Sequence, residues 1–347
     1  MALQHKETDR IPIAMVCSGI NEPARRHFDD YLKRERAIGI GKYLDDIVDI
    51  KGVAPDYVGP RLSVGQDIWG VERKPISYGL GIYDEIVHHP LADAKTVDDV
   101  RKHPWPTTNI FNYSVIPQQV AKIQKERERC LMISGANMFE TSWYMRGFQQ
   151  MFMDLAINPE LAHVIMTQVT DFFVAHYRKI LAEAEGMIDL AFTADDIGGQ
   201  GGLLMSLDMW EQFIKPYHIR LNAVIHEFGV RVIYHTDGAI MEAIPGLIAM
   251  GIDVLQALQF DAKGMNPVEM KEKYGRELSF EGGVSVQKTL PFGSSNDVWK
   301  EVEHLISILG RSGGYIIGPA HAIQAGTPPE NIFAMFETAL RYYPFGK

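Results

Sequence analysis

The sequence predicts an α/β chain, a (β/α)8 barrel carrying an N-terminal elaboration over its mouth, and three observations carry that prediction. From about residue 130 onward one phrase repeats: a short apolar run, a Gly-rich or polar break, then an amphipathic helix. That alternation marks βα units around a parallel sheet. Polar residues able to do chemistry stand just beyond the apolar runs, where a barrel keeps its active face. The length of 347 residues, with 46% hydrophobic and 22% charged residues, suits a large core and excludes a disordered chain. The chain reads as a single barrel over 1–347, with 1–129 giving the first strand and the elaboration and 130–347 the regular βα units.

Ile11 to Val16 is the expected first strand. Charged helical sequence follows, then the Pro/Gly-broken stretch Gly59 to Gly81. Ile82 to Val87 is expected to pair with Ile68 to Val71 as an antiparallel flap. The later strands are Leu131-Met132-Ile133, Ile188 to Phe192, Val232-Ile233-Tyr234, Val254-Leu255, Leu278-Ser279-Phe280 and Tyr315-Ile316-Ile317, each short enough to be buried on both faces. Asn158 and Pro159 open a long helix with a cap and a proline at its first position. A further helix runs from a Ser206 cap to Gly229, with Trp210, Phe213, Ile214, Tyr217, Leu221, Val224, Ile225 and Phe228 as its apolar stripe. A doubly wound sheet is the rival fold. No G-x-G-x-x-G follows a strand, and Gly198-Gly199-Gln200-Gly201-Gly202 lacks the Lys-Ser/Thr of a phosphate-binding loop, so no nucleotide fingerprint supports that rival.

The formal charge is -10 and basic residues are not clustered, so neither a nucleic-acid footprint nor a polybasic membrane patch is expected. With only Cys17 and Cys130, a disulfide framework is excluded and a reducing compartment fits. No signal core and no membrane-length apolar run are present, and a cytoplasmic protein is expected.

The strand-end residues collected in order are Asn137 and Glu140, Asp195 and Asp196, His235 and Asp237, Gln256 and Gln259, Glu281, and His321. The densest signal is Tyr234-His235-Thr236-Asp237-Gly238. Residues i and i+2 of a strand point the same way, so His235 and Asp237 can place an imidazole and a carboxylate on one centre. His321 completes a two-imidazole, one-carboxylate set of the kind that leaves a catalytic zinc an open position. In the plainer alternative, Asp237 fixes His235 by a hydrogen bond and His321 meets a backbone carbonyl.

Asp195-Asp196 before the Gly-rich stretch can position a substrate or move a proton. One of the two can equally cap a turn, and Asp196 is the stronger site candidate because the glycines begin just after it. Glu281, before Gly282-Gly283, is a similar and weaker signal. Met138, Trp143 and Tyr144 can wall an apolar pocket, although helical spacing fits core residues as well.

Taken in order, Asp195-Asp196-Ile-Gly-Gly, Trp210-Glu-Gln-Phe-Ile-Lys-Pro-Tyr217, His235-Thr-Asp-Gly238, Phe280-Glu-Gly-Gly-Val284 and Gly318-Pro-Ala-His321 through Thr-Pro-Pro-Glu-Asn331 resemble the uroporphyrinogen decarboxylase superfamily. The resemblance covers roughly residues 130 to 345 well and the N-terminal part loosely. It implies a (β/α)8 barrel with the site at the C-terminal strand ends. The superfamily holds tetrapyrrole decarboxylases and methyltransferases that work with corrinoid proteins. The decarboxylases hold their porphyrinogen carboxylates with an Arg-rich segment after the first strand. Here Ile11 to Ile20 stands in that place without an arginine, and Arg25 and Arg26 come later, which disfavours decarboxylation of a substrate with many carboxylates.

The methyltransferases carry zinc on a His-x-Cys pair and a later Cys. By resemblance His235 keeps the first position, Asp237 replaces the first cysteine, and His321 stands for the second. Exchanging thiolates for a carboxylate and an imidazole makes a bound Zn2+ harder and more Lewis acidic, which suits an oxygen leaving group and hence O-demethylation of a methoxylated compound. The expected cofactors are Zn2+ and a corrinoid, and the expected partners are a small-molecule methyl donor and a corrinoid protein, with a homodimer an open arrangement. Asn137, Asp196 and Gln259 are the expected orienting groups, with Met138, Trp143, Tyr144 and Glu281 also at the substrate. The alternatives are a metal-free decarboxylase using Asp196 to stabilise a cationic intermediate, and a non-catalytic module that docks a corrinoid protein or senses a ligand.

Overall fold

A computed structural model describes residues 1–16 and 19–342; Cys17 lies outside the described residues. Seven parallel strands follow one another around a curled sheet. They are Ile50–Gly52, Cys130–Asn137, Leu190–Ala194, Arg231–His235, Val254–Ala257, Ser279–Val284 and Tyr315–Pro319. The expected first strand contracts to one parallel bridge, Ile13 to Ile317. Ala14 N donates to Ile317 O and Ile317 N to Pro12 O, each at 2.9 Å, while Asp49 N donates to Ile13 O at 2.8 Å. Residues 12–14 therefore sit between the last strand and Ile50–Gly52 and close the ring in the manner of a (β/α)8 barrel. Asp49 fixes the closure: its carboxylate accepts from Ile13 N and from Arg10.

All six later runs form strands of this sheet. Residues from around the ring make an apolar floor of Ala14, Ile50, Met132, Leu190, Ile233, Val254 and Ile316, packed with Ala2. Two residues further along their strands, the same inward face carries His235 and Gln256, because side chains alternate with period two. The barrel thus places its polar row directly above a dry floor.

Three local expectations change in the structure. Ile82–His88 pairs with Glu72–Ser77 instead of Ile68–Val71. The Asp67 carboxylate accepts from Trp69 N and Val71 N and curls 68–71 into a turn. The helix read from Ser206 to Gly229 is two, Leu207–Phe213 and Lys215–Glu227, because Pro216 cannot continue the backbone ladder of the first. Ser206 does cap the first of them, accepting from Met209 N. The 25-residue helix Pro159–Glu183 forms as read but has no side-chain cap from Asn158.

The hairpin tip lies over the mouth, where Leu80 shares a cavity with His321 and Gln324. Arg146, paired with Asp154 at 2.7 Å in a buried site, also donates to Leu91 O and Ala92 O and so ties the N-terminal elaboration to the barrel. Among the described residues no helix is long and apolar enough to cross a membrane.

Candidate active site at the barrel mouth

His235 ends its strand, Asp237 stands in the loop beyond it, and His321 follows the last strand. The three offer ligand atoms that all lie within 4.8 Å of one another. His235 Nε2 is 3.9 Å from Asp237 Oδ1 and His321 Nε2 is 3.8 Å from Asp237 Oδ2. The other ring nitrogen of His235, Nδ1, donates to Gln256 Oε1, which leaves Nε2 with a free lone pair toward the carboxylate. Asp237 Oδ1 is buried and has no hydrogen-bond partner among the described residues. Burial pushes the Asp237 carboxyl up, with Asp196 adding to the shift, while His235, His321 and a Gln259 hydrogen bond oppose it.

Two imidazoles and a carboxylate with an orphaned oxygen are the donor set of a divalent cation of the zinc type. Such an ion would offset the burial that makes Asp237 costly to ionise. With ligand atoms within 4.8 Å of one another, His235, Asp237 and His321 would be the residues to hold such an ion.

Loop packing holds this set. Asp237 N donates to Asp196 Oδ1 at 2.8 Å, and Gly238 N to Gln259 Oε1 at 3.1 Å. Gly198 and Gly238 must be glycines for a mutual reason. A Cβ on Gly198 would meet Asp237 O at 2.5 Å, and one on Gly238, at φ +85°, would meet the Gly198 carbonyl carbon at 2.5 Å. The Asp-Asp-Ile-Gly-Gly and His-Thr-Asp-Gly motifs are therefore two halves of one contact.

Asp196 Oδ1 lies 3.6 Å from His235 Nε2, which places Asp196 beside this cluster. Asp195, its neighbour, is wholly buried and accepts from Phe139 N, Glu140 N and His218 Nε2 at 2.8, 2.7 and 2.6 Å. It caps the helix Met138–Arg146 rather than the turn that follows it. His218, the partner that makes this possible, gave no signal beyond its place on an apolar helix face.

A cavity of about 560 Å³ opens on Asp237, His321 and Gln259, walled by Leu80, Phe292 and Pro291. A second, of about 460 Å³, is lined by Asn137, Tyr144 and Thr141 with Tyr57, Phe111 and Arg73 from the elaboration. Glu140 stands beside the second cavity, accepting from Asn137, which lines it. Burial first, then Asp196 and Asp195, push its carboxyl up to about 8, so it keeps a proton at neutral pH.

Three expected substrate contacts lie elsewhere. Met138 is fully buried in the hydrophobic core, because it opens a helix whose first turn faces inward. Trp143 packs on that core edge-on to Tyr144 and Phe148. Glu281 is fully buried in the barrel interior, with neither carboxylate oxygen hydrogen-bonded among the described residues.

The profile of the uroporphyrinogen decarboxylase (URO-D) family matches residues 86–342. A methylated-thiol--coenzyme M methyltransferase of Methanosarcina mazei is 28% identical over 197 residues, covering 56% of this chain and 49% of that protein. A uroporphyrinogen decarboxylase of Crocosphaera subtropica is 24% identical over 186 residues, 52% of this chain and 48% of that protein. These alignments span about half the length of the relatives. Among solved structures, a methyltransferase from Methanosarcina mazei superposes with a TM-score of 0.70 at 16% identity over 99% of this chain and 97% of that one, which supports the barrel fold.

Proposed function

The chain belongs to the uroporphyrinogen decarboxylase (URO-D) family, and from that premise we propose that it is a methyltransferase. In this reading it moves a methyl group between a small methoxylated compound and a corrinoid carried by a partner protein, with zinc held by His235, Asp237 and His321. The observation that carries the reading is the convergence of those three side chains around an unpartnered carboxylate oxygen. When bound, the ion supplies Lewis acidity to a leaving oxygen.

The chain's own groups do the rest. His235 presents Nε2 because Gln256 accepts the proton-bearing Nδ1. Asp196 and Gln259 hold the Asp237–Gly238 backbone still through the loop amides. Asn137 and Tyr144, with the aromatic rings of Tyr57 and Phe111, suit the ring of a methoxylated arene and a polar substituent on it. Glu140 holds a proton next to that cavity at neutral pH. Metal-free decarboxylation of a polycarboxylate is the alternative within the family, but among the described residues no Arg or Lys lines the cavity at Asp237 and His321, so multiple carboxylates would find no clamp from them there.

Protein purified without chelator is mixed with cob(I)alamin and a panel of methoxylated aromatics. The methylcobalamin spectrum is expected with at least one donor, together with about one equivalent of bound zinc that His235→Ala loses. Less than roughly a tenth of an equivalent in the parent would sink the metal centre. Release of carbon dioxide from a candidate acid by metal-free protein would replace methyl transfer with the lyase reading.

A further inference from the structure

The polar row above the barrel floor continues past His235. Register pairs His235 with Gln256 and Gln256 with Glu281 on three neighbouring parallel strands, and paired residues of a parallel ladder share a face. All three are buried, Gln256 at 1% and Glu281 at 0% exposure. His235 Nδ1 occupies the carbonyl oxygen of Gln256, so the amide nitrogen is left for the other neighbour. Among the described residues, that nitrogen and both oxygens of Glu281 lack a completed hydrogen bond. A donor short of an acceptor thus stands beside an acceptor short of a donor.

The two already sense each other, because the Gln256 amide opposes the burial that pushes the Glu281 carboxyl up to about 8. Room for the carboxyl comes from Gly318 on the next strand, where a Cβ would lie 2.9 Å from Glu281 Oε1. A buried carboxyl without a partner is costly in an apolar interior, and nothing in the floor below needs one.

We propose that Glu281 is a positioning residue for His235: acting through Gln256, it keeps the imidazole proton on Nδ1 and the Nε2 lone pair facing Asp237 and His321. The inference rests on the zinc-site reading above. The Glu281 carboxyl accepts from Gln256 Nε2, which pins the amide so that Oε1 faces the imidazole. Were the amide to turn over, its nitrogen would donate to Nδ1, the proton would move to Nε2, and the ligand position would be blocked. Partners behind a ligating histidine commonly set its tautomer and basicity in this way.

The test reads the metal-free protein first. Long-range 1H–15N spectra of the His235 ring report the tautomer, and Zn2+ titration against a chromophoric chelator reports affinity. The parent is expected to show one Nδ1–H form. Glu281→Leu should give a mixture of tautomers and about 10- to 100-fold weaker zinc binding. Glu281→Gln, which keeps a carbonyl acceptor, should stay within about threefold of the parent. Gln256→Leu should match Glu281→Leu, and the double variant should lose no more than either single one, as expected for links of one chain.

Unchanged spectra and affinity in Glu281→Leu would overturn the proposal. So would a loss in Gln256→Leu that Glu281→Leu does not share. If Glu281→Leu does not fold, Gln256→Leu with Glu281→Gln decides: loss in the first and retention in the second support the relay, and loss in both or in neither overturns it. A parent that binds no zinc would remove the metal reading, while the tautomer measurement would still judge the relay by itself.

Discussion

Around Asp195 the barrel mouth closes its hydrogen bonds, whereas around Asp237 it leaves them open. Both carboxylates follow a strand and both have a histidine near. Asp195 meets three donors and is wholly buried. Asp237 keeps one oxygen without a partner, between two imidazoles that stand nearly 4 Å off. The difference teaches how to sort polar residues at a mouth of this kind. A satisfied carboxylate holds the frame, and an unsatisfied one that faces two imidazoles is a candidate to hold a cation.

That contrast is easiest to break at the satisfied end. Asp195→Ala leaves His218 and two helix amides without their acceptor, and is expected to cost about 3 to 5 kcal/mol of stability, the range for removing one partner of a buried pair. Urea unfolding of metal-free protein measures it. A loss under about 1 kcal/mol would mean that Asp195 is no brace and that the distinction between the two sides is wrong.

Glu140, whose carboxyl feels the charges of both Asp196 and Asp195, gives the next largest effect. Its carboxyl is raised to about 8, so between about pH 4.5 and 8 the folded chain holds a proton that the unfolded chain has released. Stability therefore falls as pH rises through that window, by up to about 1.4 kcal/mol per pH unit for this group. Glu140→Gln removes its share of the slope. The variant should exceed the parent by about 1 kcal/mol or more near pH 8 and converge with it near pH 5. Parallel unfolding curves would show that Glu140 ionises freely.

The smallest effect belongs to Asp196, half open and accepting from the Asp237 amide. Asp196→Asn keeps an acceptor for that amide, so stability should change by no more than about 0.5 kcal/mol, while turnover in the methyl-transfer assay falls. Equal turnover in variant and parent would return Asp196 to the frame beside Asp195.

The regular half of the molecule was legible because its signals are local. Each apolar run from Leu131 to Ile317 is a few residues long with a break behind it, and each became a strand of the sheet. The N-terminal part was less so. Ile50–Gly52 is a barrel strand that the sequence offers as part of a charged stretch, and the bridge at Ile13 is one residue long. Both exist because neighbours on either side hold them, and a pairing between residues 13 and 317 leaves no mark in either segment. The hairpin partner was misplaced for a similar reason, since the Asp67 carboxylate, and not the apolar pattern of 68–71, decides where the strand begins.

The sequence by itself determined that βα units would follow one another and which polar residues would stand at their ends, since period-two and helical patterns are properties of consecutive residues. It also placed His235 and Asp237 on one face. Tertiary structure alone decided that His321 joins them, that Asp195 turns away to cap a helix, and that Gln256 and Glu281 line up behind His235. Those outcomes depend on ring closure and inter-strand register, which are set by the fit of eight separate segments around one interior.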